Sequence, residues 1–246
     1  MNIKAVIFDF WLTLMEFGNE DAHNRLLHIR ATRINECLNR PGFDIDESRI
    51  ITAITEAEKE MEKRRSETGV EMPTAKIAEL ILNRLDILDD SFVKKIKDIY
   101  DSSLLSIELK LRDNTHEVLS TLKKQGYKIG LICNTTHGVV IRELLKRFHL
   151  AHYFDFTIFS DEFGLRKPRI EIFEETLSKL GVKPDEAIHI GDRPDLDILG
   201  AKNAGMFAVL IDTENKPHPS QLPLPDRRIN NLKEILSIIK KEINHE

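Results

Sequence analysis

Apolar and polar positions along the chain fall into two regimes. At 3–8 (Ile-Lys-Ala-Val-Ile-Phe), 127–132, 154–159, 187–190 and 207–211, apolar residues run almost without interruption. Runs so short and so continuous suit strands buried on both faces, as in a parallel sheet. Between them the apolar spacing is helical at 114–125, 169–180 and 195–204. Each of these stretches stops at a glycine (Gly126, Gly181, Gly205), the residue that most readily takes the left-handed conformation ending a helix. Strand and helix alternating in this way predict an α/β fold, doubly wound on a mostly parallel sheet.

Residues 16–108 follow a different rule. No convincing strand run occurs there, and helical patterns cover about 19–39, 46–67, 73–88 and 90–104, separated by Arg40-Pro41-Gly42, Thr68-Gly69 and Asp89-Asp90. Asp9 and Cys133 close the first two strand runs yet stand 124 positions apart, whereas a strand-helix-strand unit needs only about 30 residues. A four-helix insertion at 16–108 therefore splits an α/β core formed by 1–15 and 109–246. Residues 213–226 read as a Pro-rich loop and 230–243 as a last helix, with no internal repeat.

Composition narrows the function. The chain has 246 residues, 41% of them apolar and 31% charged, which excludes disorder and fits one large core or two smaller ones. No apolar run approaches the roughly 20 residues that span a bilayer. The N-terminus runs straight into a strand-like segment, so no signal peptide is expected. Two separated cysteines, Cys37 and Cys133, make neither a disulfide framework nor a zinc site, and the expected compartment is the cytoplasm. With 36 Lys+Arg against 41 Asp+Glu and no basic block, nucleic acid is not an expected partner, nor is a membrane. Oligomeric state is left open between monomer and homodimer.

Ligands of open α/β sheets bind beyond the carboxyl ends of the strands. There the chain places Asp9-Phe10-Trp11-Leu12-Thr13 after the first run and Cys133-Asn134-Thr135-Thr136 after the second. Lys167 precedes a helix, and Gly191-Asp192-Arg193-Pro194-Asp195-Leu196-Asp197 follows the fourth run. In this order and spacing the chain resembles the haloacid dehalogenase-like hydrolases. Their first motif is Asp-x-Asp-Gly-Thr, matched by Asp9 and Thr13; their third is a lysine, matched by Lys167. Their fourth is Gly-Asp with a further Asp, matched by Asp192 and Asp197, and the following Ile198 to Gly205 also look like the family.

The resemblance implies a Rossmann-like core with a helical cap, and Mg²⁺-dependent hydrolysis of a small phosphorylated metabolite. By it, Asp9 is the nucleophile that becomes an aspartyl-phosphate, Lys167 neutralises phosphate charge and orients Asp9, and Thr13 supports the nucleophile. The ion is held by Asp9, the carbonyl of Trp11 and Asp192, with Asp197 behind them or acting through water. Backbone N–H groups around Phe10, Trp11 and Asn134 cradle phosphate oxygens, in a pocket that also includes Cys133, Thr135 and Lys167. Asp195 reads as a helix-start carboxylate, Cys133 as a buried small residue and His189 as a core histidine.

Three departures matter. Trp11 replaces the aspartate that protonates the leaving group, and an indole cannot exchange that proton. General acid–base catalysis contributes about 10²–10⁴-fold, so slow turnover of alkyl phosphates is expected. Leu12 replaces a glycine, and Cys133 replaces a hydroxyl that Thr135 is placed to supply. Glu16, Glu20, His23, Asp161 and Glu162 are candidates for a substitute acid. Two other readings stand beside the phosphatase: a metal-independent 2-haloacid dehalogenase, in which departing halide needs no proton, and a non-catalytic binding protein on the same fold. In the first inserted helix, Arg30 and Arg33 are either an anion-facing pair or part of a solvated cationic face.

Overall fold

The computed structural model describes residues 2–19, 21–39, 45–212 and 219–243. Glu20, the Arg40-Pro41-Gly42 break and residues 213–218 of the Pro-rich loop lie outside them. The chain forms two compact units, Met1–Glu16 with Lys110–Thr135 and Arg142–Glu246, and Phe17–Leu109 with Thr136–Ile141. In chain order the elements are β1 (Ala5–Phe8), β2 (Met15–Phe17), α1 (Ala22–Leu38), α2 (Glu47–Thr68), α3 (Thr74–Arg84), α4 (Ser91–Leu104), β3 (Leu109–Leu111), α5 (Thr115–Lys124) and β4 (Lys128–Cys133). There follow α6 (Gly138–Arg147), β5 (Phe156–Phe159), α7 (Ser160–Phe163), α8 (Ile170–Leu180), β6 (Ala187–Gly191), α9 (Leu199–Asn203), β7 (Phe207–Ile211), β8 (Arg227–Ile229) and α10 (Glu234–Ile243).

Six strands make one sheet in the order β5-β4-β1-β6-β7-β8, and all five pairings between neighbours are parallel. The doubly wound parallel architecture expected from the apolar runs is therefore present. β1 lies between β4 and β6, with Phe8 beside Leu131 and Ile190. The strand order reverses across β1, and the crevice at such a reversal is where open α/β sheets bind ligands. All four residues of β1 and all five of β6 are buried, which is why their sequences lack the alternation of half-exposed strands. Gly126, Gly181 and Gly205 all have positive φ just past their helices.

Some elements depart from the reading of the chain. α6 lies where no helix was expected, although Val140, Ile141, Leu144 and Leu145 are buried at helical spacing. Its exposed Val139 and β-branched start blur that pattern. β8 has one buried residue in three, too little to register as a run. The helix expected at 195–204 begins as a π-helical turn, Pro194–Ile198, before α9. Two short strands, β2 and β3, pair with each other at the edges of the inserted stretch.

The second unit is built on α1 to α4 around a core that includes Ile34, Ile54, Met61, Ile81 and Ile96. α2 is capped at its start by Asp46, whose carboxylate accepts from Ser48 N–H at 2.9 Å, and ends at Gly69 with φ 68°. Arg30 corrects the expectation of a solvated or anion-facing side chain. It is buried, donates to Glu58 at 2.9 Å and stacks 4.0 Å over the Tyr100 ring, whose hydroxyl donates to the same Glu58 at 3.1 Å. Arg33 donates to Ser106 at 2.9 Å. Thr136–Ile141 joins this unit through the Thr74 hydroxyl on Thr136 O (2.8 Å) and a His137–Asp101 pair (2.6 Å).

Candidate active site

Asp9 is the first residue past β1, its N–H donating to Ile190 O of β6 at 2.9 Å. The backbone then turns at once: Leu14 and Met15 N–H both donate to Phe10 O, at 2.9 and 3.0 Å. Leu12 sits in the left-handed region at φ 56°, the conformation for which glycine is the usual choice, and its side chain is 43% exposed. The turn thus accepts leucine at the cost of backbone strain and points it to solvent. Phe10 is fully buried, with the part-exposed Trp11 ring edge-on to it at 5.0 Å. Thr13 is fully buried and its hydroxyl has no hydrogen-bond partner among the described residues.

Lys167 is the centre of the site. Its Nζ lies 2.6 Å from Asp9 Oδ1, 2.6 Å from Asp197 Oδ1 and 3.1 Å from Ile132 O, which satisfies all three ammonium hydrogens. The side chain is 2% exposed. Burial works against its charge, yet the Asp197 and Asp9 carboxylates hold Lys167 well above the usual lysine range. Its backbone is held separately: Lys167 N–H donates to Asn134 Oδ1 at 2.9 Å and Asn134 Nδ2 donates back to Lys167 O at 3.0 Å. The Asn134 side chain is therefore committed to the backbone of Lys167. Thr135 is latched in a similar way, its N–H donating to Ser160 Oγ at 2.9 Å and its carbonyl accepting from that hydroxyl at 3.0 Å.

Asp9, Asp192 and Asp197 each bring a carboxylate oxygen within 4.8 Å of the others. Burial lifts Asp9 to about 6, against the pull of Lys167 and with the Asp197 charge adding to it. Burial, then the charges of Asp9 and Asp197, lifts Asp192 to about 7. Asp197 goes the other way: despite burial, Lys167 and a His189 hydrogen bond hold it well below the usual carboxylate range. Three carboxylates thus share one ammonium, and the excess negative charge is what a hard divalent cation with oxygen ligands would offset. Asp197 Oδ1 already accepts from Lys167 and His189, and Oδ2 from Arg193 N–H at 3.1 Å, so Asp9 and Asp192 have the greater freedom to face an ion.

Gly191 explains the Gly-Asp pair in steric terms. A Cβ there would lie 2.1 Å from Asp197 Cγ, so only glycine lets that carboxylate fold back under the end of β6. Cys133 is fully buried and its thiol is pushed well up by burial and by the nearby Asp9 charge, which leaves it a weak neutral donor. Asp195 is not part of the carboxylate cluster; Arg193 grips it with two bonds, at 2.8 and 2.6 Å. Of the candidate substitute acids, Glu16 is paired with Arg112 (3.1 Å) and Lys110 (3.5 Å), and Glu162 with Arg142.

Two residues of this site were not read from the chain. Ser160 follows the end of β5 on the same rim, a position that the strand-end rule could have flagged. His189 is fully buried, as its place in an apolar run predicts, but its Nε2 lies 3.0 Å from Asp197 Oδ1. Only the register of β6 against the following turn reveals that contact.

The chain is similar to several known proteins. A glyceraldehyde 3-phosphate phosphatase of Methanothermobacter thermautotrophicus is 45% identical over 103 residues, which span 41% of this chain and 44% of that protein. The match thus spans less than half of that relative's length. A glyceraldehyde 3-phosphate phosphatase of Pyrococcus furiosus is 29% identical over 98% of this chain and 94% of its own. The crystal structure of a HAD phosphatase from Thermococcus onnurineus superposes with a TM-score of 0.67 at 25% identity, covering 96% of this chain and 98% of that one. The profile of haloacid dehalogenase-like hydrolases matches residues 3–205, and the chain belongs to that family.

Proposed function

We propose that this hydrolase is a Mg²⁺-dependent phosphatase of a small phosphorylated metabolite, acting through an aspartyl-phosphate on Asp9. The observation that carries the proposal is the Lys167 ammonium, 2.6 Å from both Asp9 and Asp197, beside a third carboxylate, Asp192. The donor set is all oxygen and carries surplus negative charge, which fits Mg²⁺ better than a softer ion. Asp9, the carbonyl of Trp11 and Asp192 would hold the ion, with Asp197 behind them. When bound, Mg²⁺ supplies the positive charge that lets a carboxylate approach a phosphate dianion.

In this reading the Asp9 oxygen not bound to Lys167 attacks phosphorus, the ester oxygen leaves, and water later cleaves the acyl phosphate. Lys167 keeps Asp9 ionised and aligned and adds positive charge next to the transferring group. Phe10 N–H donates to the Asp9 carboxylate, so its part is to orient the nucleophile. The amides of Trp11 and Asn134, at the tips of neighbouring strands, would take phosphate oxygens, while Thr13 would offer its buried hydroxyl to the loaded site. Cys133 and Thr135 would line the pocket. No carboxylic acid stands at position 11, so the leaving group departs without a proton from that side. Aryl and acyl phosphates therefore suit this site best.

The relatives named for glyceraldehyde 3-phosphate make three-carbon phosphates the first physiological substrates to assay. Two sparse cysteines favour a cytoplasmic setting, and among the described residues no helix is long and apolar enough to cross a membrane. Release of phosphate from p-nitrophenyl phosphate, with and without EDTA, tests the proposal. Activity that Mg²⁺ restores and Asp9→Asn abolishes is expected. Chloride release from 2-chloropropionate that EDTA leaves untouched would replace it with the dehalogenase reading.

A further inference from the structure

His189 lies in the middle of β6, fully buried, between Ile7 of β1 and Ala208 of β7. Its ring meets Phe173 edge to face, with centroids 5.1 Å apart. Placing an imidazole in such surroundings is costly unless its nitrogens are hydrogen-bonded. Nε2 has a partner, Asp197 Oδ1 at 3.0 Å, whereas Nδ1 has none among the described residues.

That asymmetry selects a tautomer. A proton on Nδ1 would be a buried donor without an acceptor and would turn the Nε2 lone pair toward a carboxylate oxygen. A proton on Nε2 donates to Asp197 and leaves only an unfilled acceptor, the cheaper defect.

The oxygen that receives this bond is the one that binds Lys167, at 2.6 Å, and the same ammonium reaches Asp9 at 2.6 Å. With the His189 donor in place, Asp197 Oδ1 has two fixed partners and Oδ2 has Arg193 N–H. Without it only Lys167 and Arg193 N–H hold the carboxylate, which can then tilt about its last bond and draw the ammonium away from Asp9.

We propose that His189 is a positioning residue of the hydrolytic site: its Nε2–H orients Asp197, so that the Lys167 ammonium is shared evenly between Asp197 and Asp9. The proposal rests on Asp9 being the nucleophile. It is tested with His189→Leu, which removes the donor while staying apolar, and His189→Gln, whose side-chain N–H can reach the place of Nε2. With p-nitrophenyl phosphate and Mg²⁺, His189→Leu is expected to lower kcat about tenfold with KM within about twofold, as for other partners that orient a metal-site residue. His189→Gln should recover at least about half of the lost activity, since it restores the donor. In protein carrying ¹⁵N-labelled histidine, the proton should lie on Nε2 of His189, a reading of the unmodified chain that holds even if a variant folds poorly.

Wild-type turnover by His189→Leu while Asp9→Asn is inactive would overturn the proposal. So would a His189→Gln variant as slow as His189→Leu, or a proton found on Nδ1. If Asp9→Asn itself turns over normally, the nucleophile assignment fails first and the role of His189 goes with it.

Discussion

Lys167 balances three carboxylates with one buried ammonium, so its removal is expected to cost more than a typical core substitution. Lys167→Met should keep the volume and leave Asp9 and Asp197 uncompensated. Removing one member of a buried ion pair costs about 3–5 kcal/mol, and denaturant unfolding without Mg²⁺ should show a loss of that order. A loss below about 1 kcal/mol, the range of exposed pairs, would mean that the amine is not needed to hold the carboxylates together. Trp11→Asp should do the opposite to function. It restores a proton donor, and kcat on glycerol phosphate should rise about tenfold or more while p-nitrophenyl phosphate gains little. Comparable rates of the unaltered protein on both esters would contradict the acid-free reading. At this scale the anchors were legible because Asp9, Lys167 and Asp192 follow strand ends or precede a helix. His189 and Ser160 were not, since their partners Asp197 and Thr135 are 8 and 25 positions away along the chain. Asn134 was legible as a site residue but not as the clamp on the backbone of Lys167.

Between residue and fold stand the turns that aim these side chains. The end of β6 needs Gly191 because Asp197 fills the space where a Cβ would sit. Gly191→Ala is expected to displace that carboxylate, cost about 1–3 kcal/mol of stability and lower kcat. Calorimetry and kinetics on the same sample check both effects, and unchanged values would place Asp197 elsewhere in solution. The strands were readable from the chain because each is a buried apolar run, and the helices of the sheet unit because glycine ends three of them. α6 is not legible in the sequence because its first turn, Gly138-Val139-Val140-Ile141, is β-branched and partly exposed, and neither period dominates so short a window. β8, with two exposed arginines in three residues, carries almost no hydrophobic signal. The π-helical turn at Pro194–Ile198 has helical composition, and only its hydrogen bonds to Arg193 O distinguish it.

At the scale of the whole molecule, the site's charges couple stability to pH and to metal. Asp9 at about 6 and Asp192 at about 7 both lie above the ordinary value of 3.8. Below pH 3.8 both are protonated in folded and unfolded chains alike. As pH rises from 3.8 through 6 to 7, the unfolded chain has released protons that the folded one still retains, and the metal-free protein loses stability across that window. Asp197 has the opposite sign, and its contribution is lost only in strong acid. Mg²⁺ should relieve the penalty on Asp9 and Asp192. Its Tm increase is expected to be larger at pH 8 than at pH 5, approaching the equivalent of about 2.7 kcal/mol at a hundred times Kd. An equal increase at both pH values would separate metal binding from these carboxylates. The central claim is that phosphorus becomes bonded to Asp9, and with no acid–base residue at position 11 to activate water, the phosphoenzyme should accumulate. Borohydride reduction of enzyme quenched during turnover, followed by peptide mass spectrometry, tests this directly. Homoserine is expected at position 9, dependent on substrate and Mg²⁺; an unmodified Asp9 in enzyme that is releasing phosphate would rule the intermediate out.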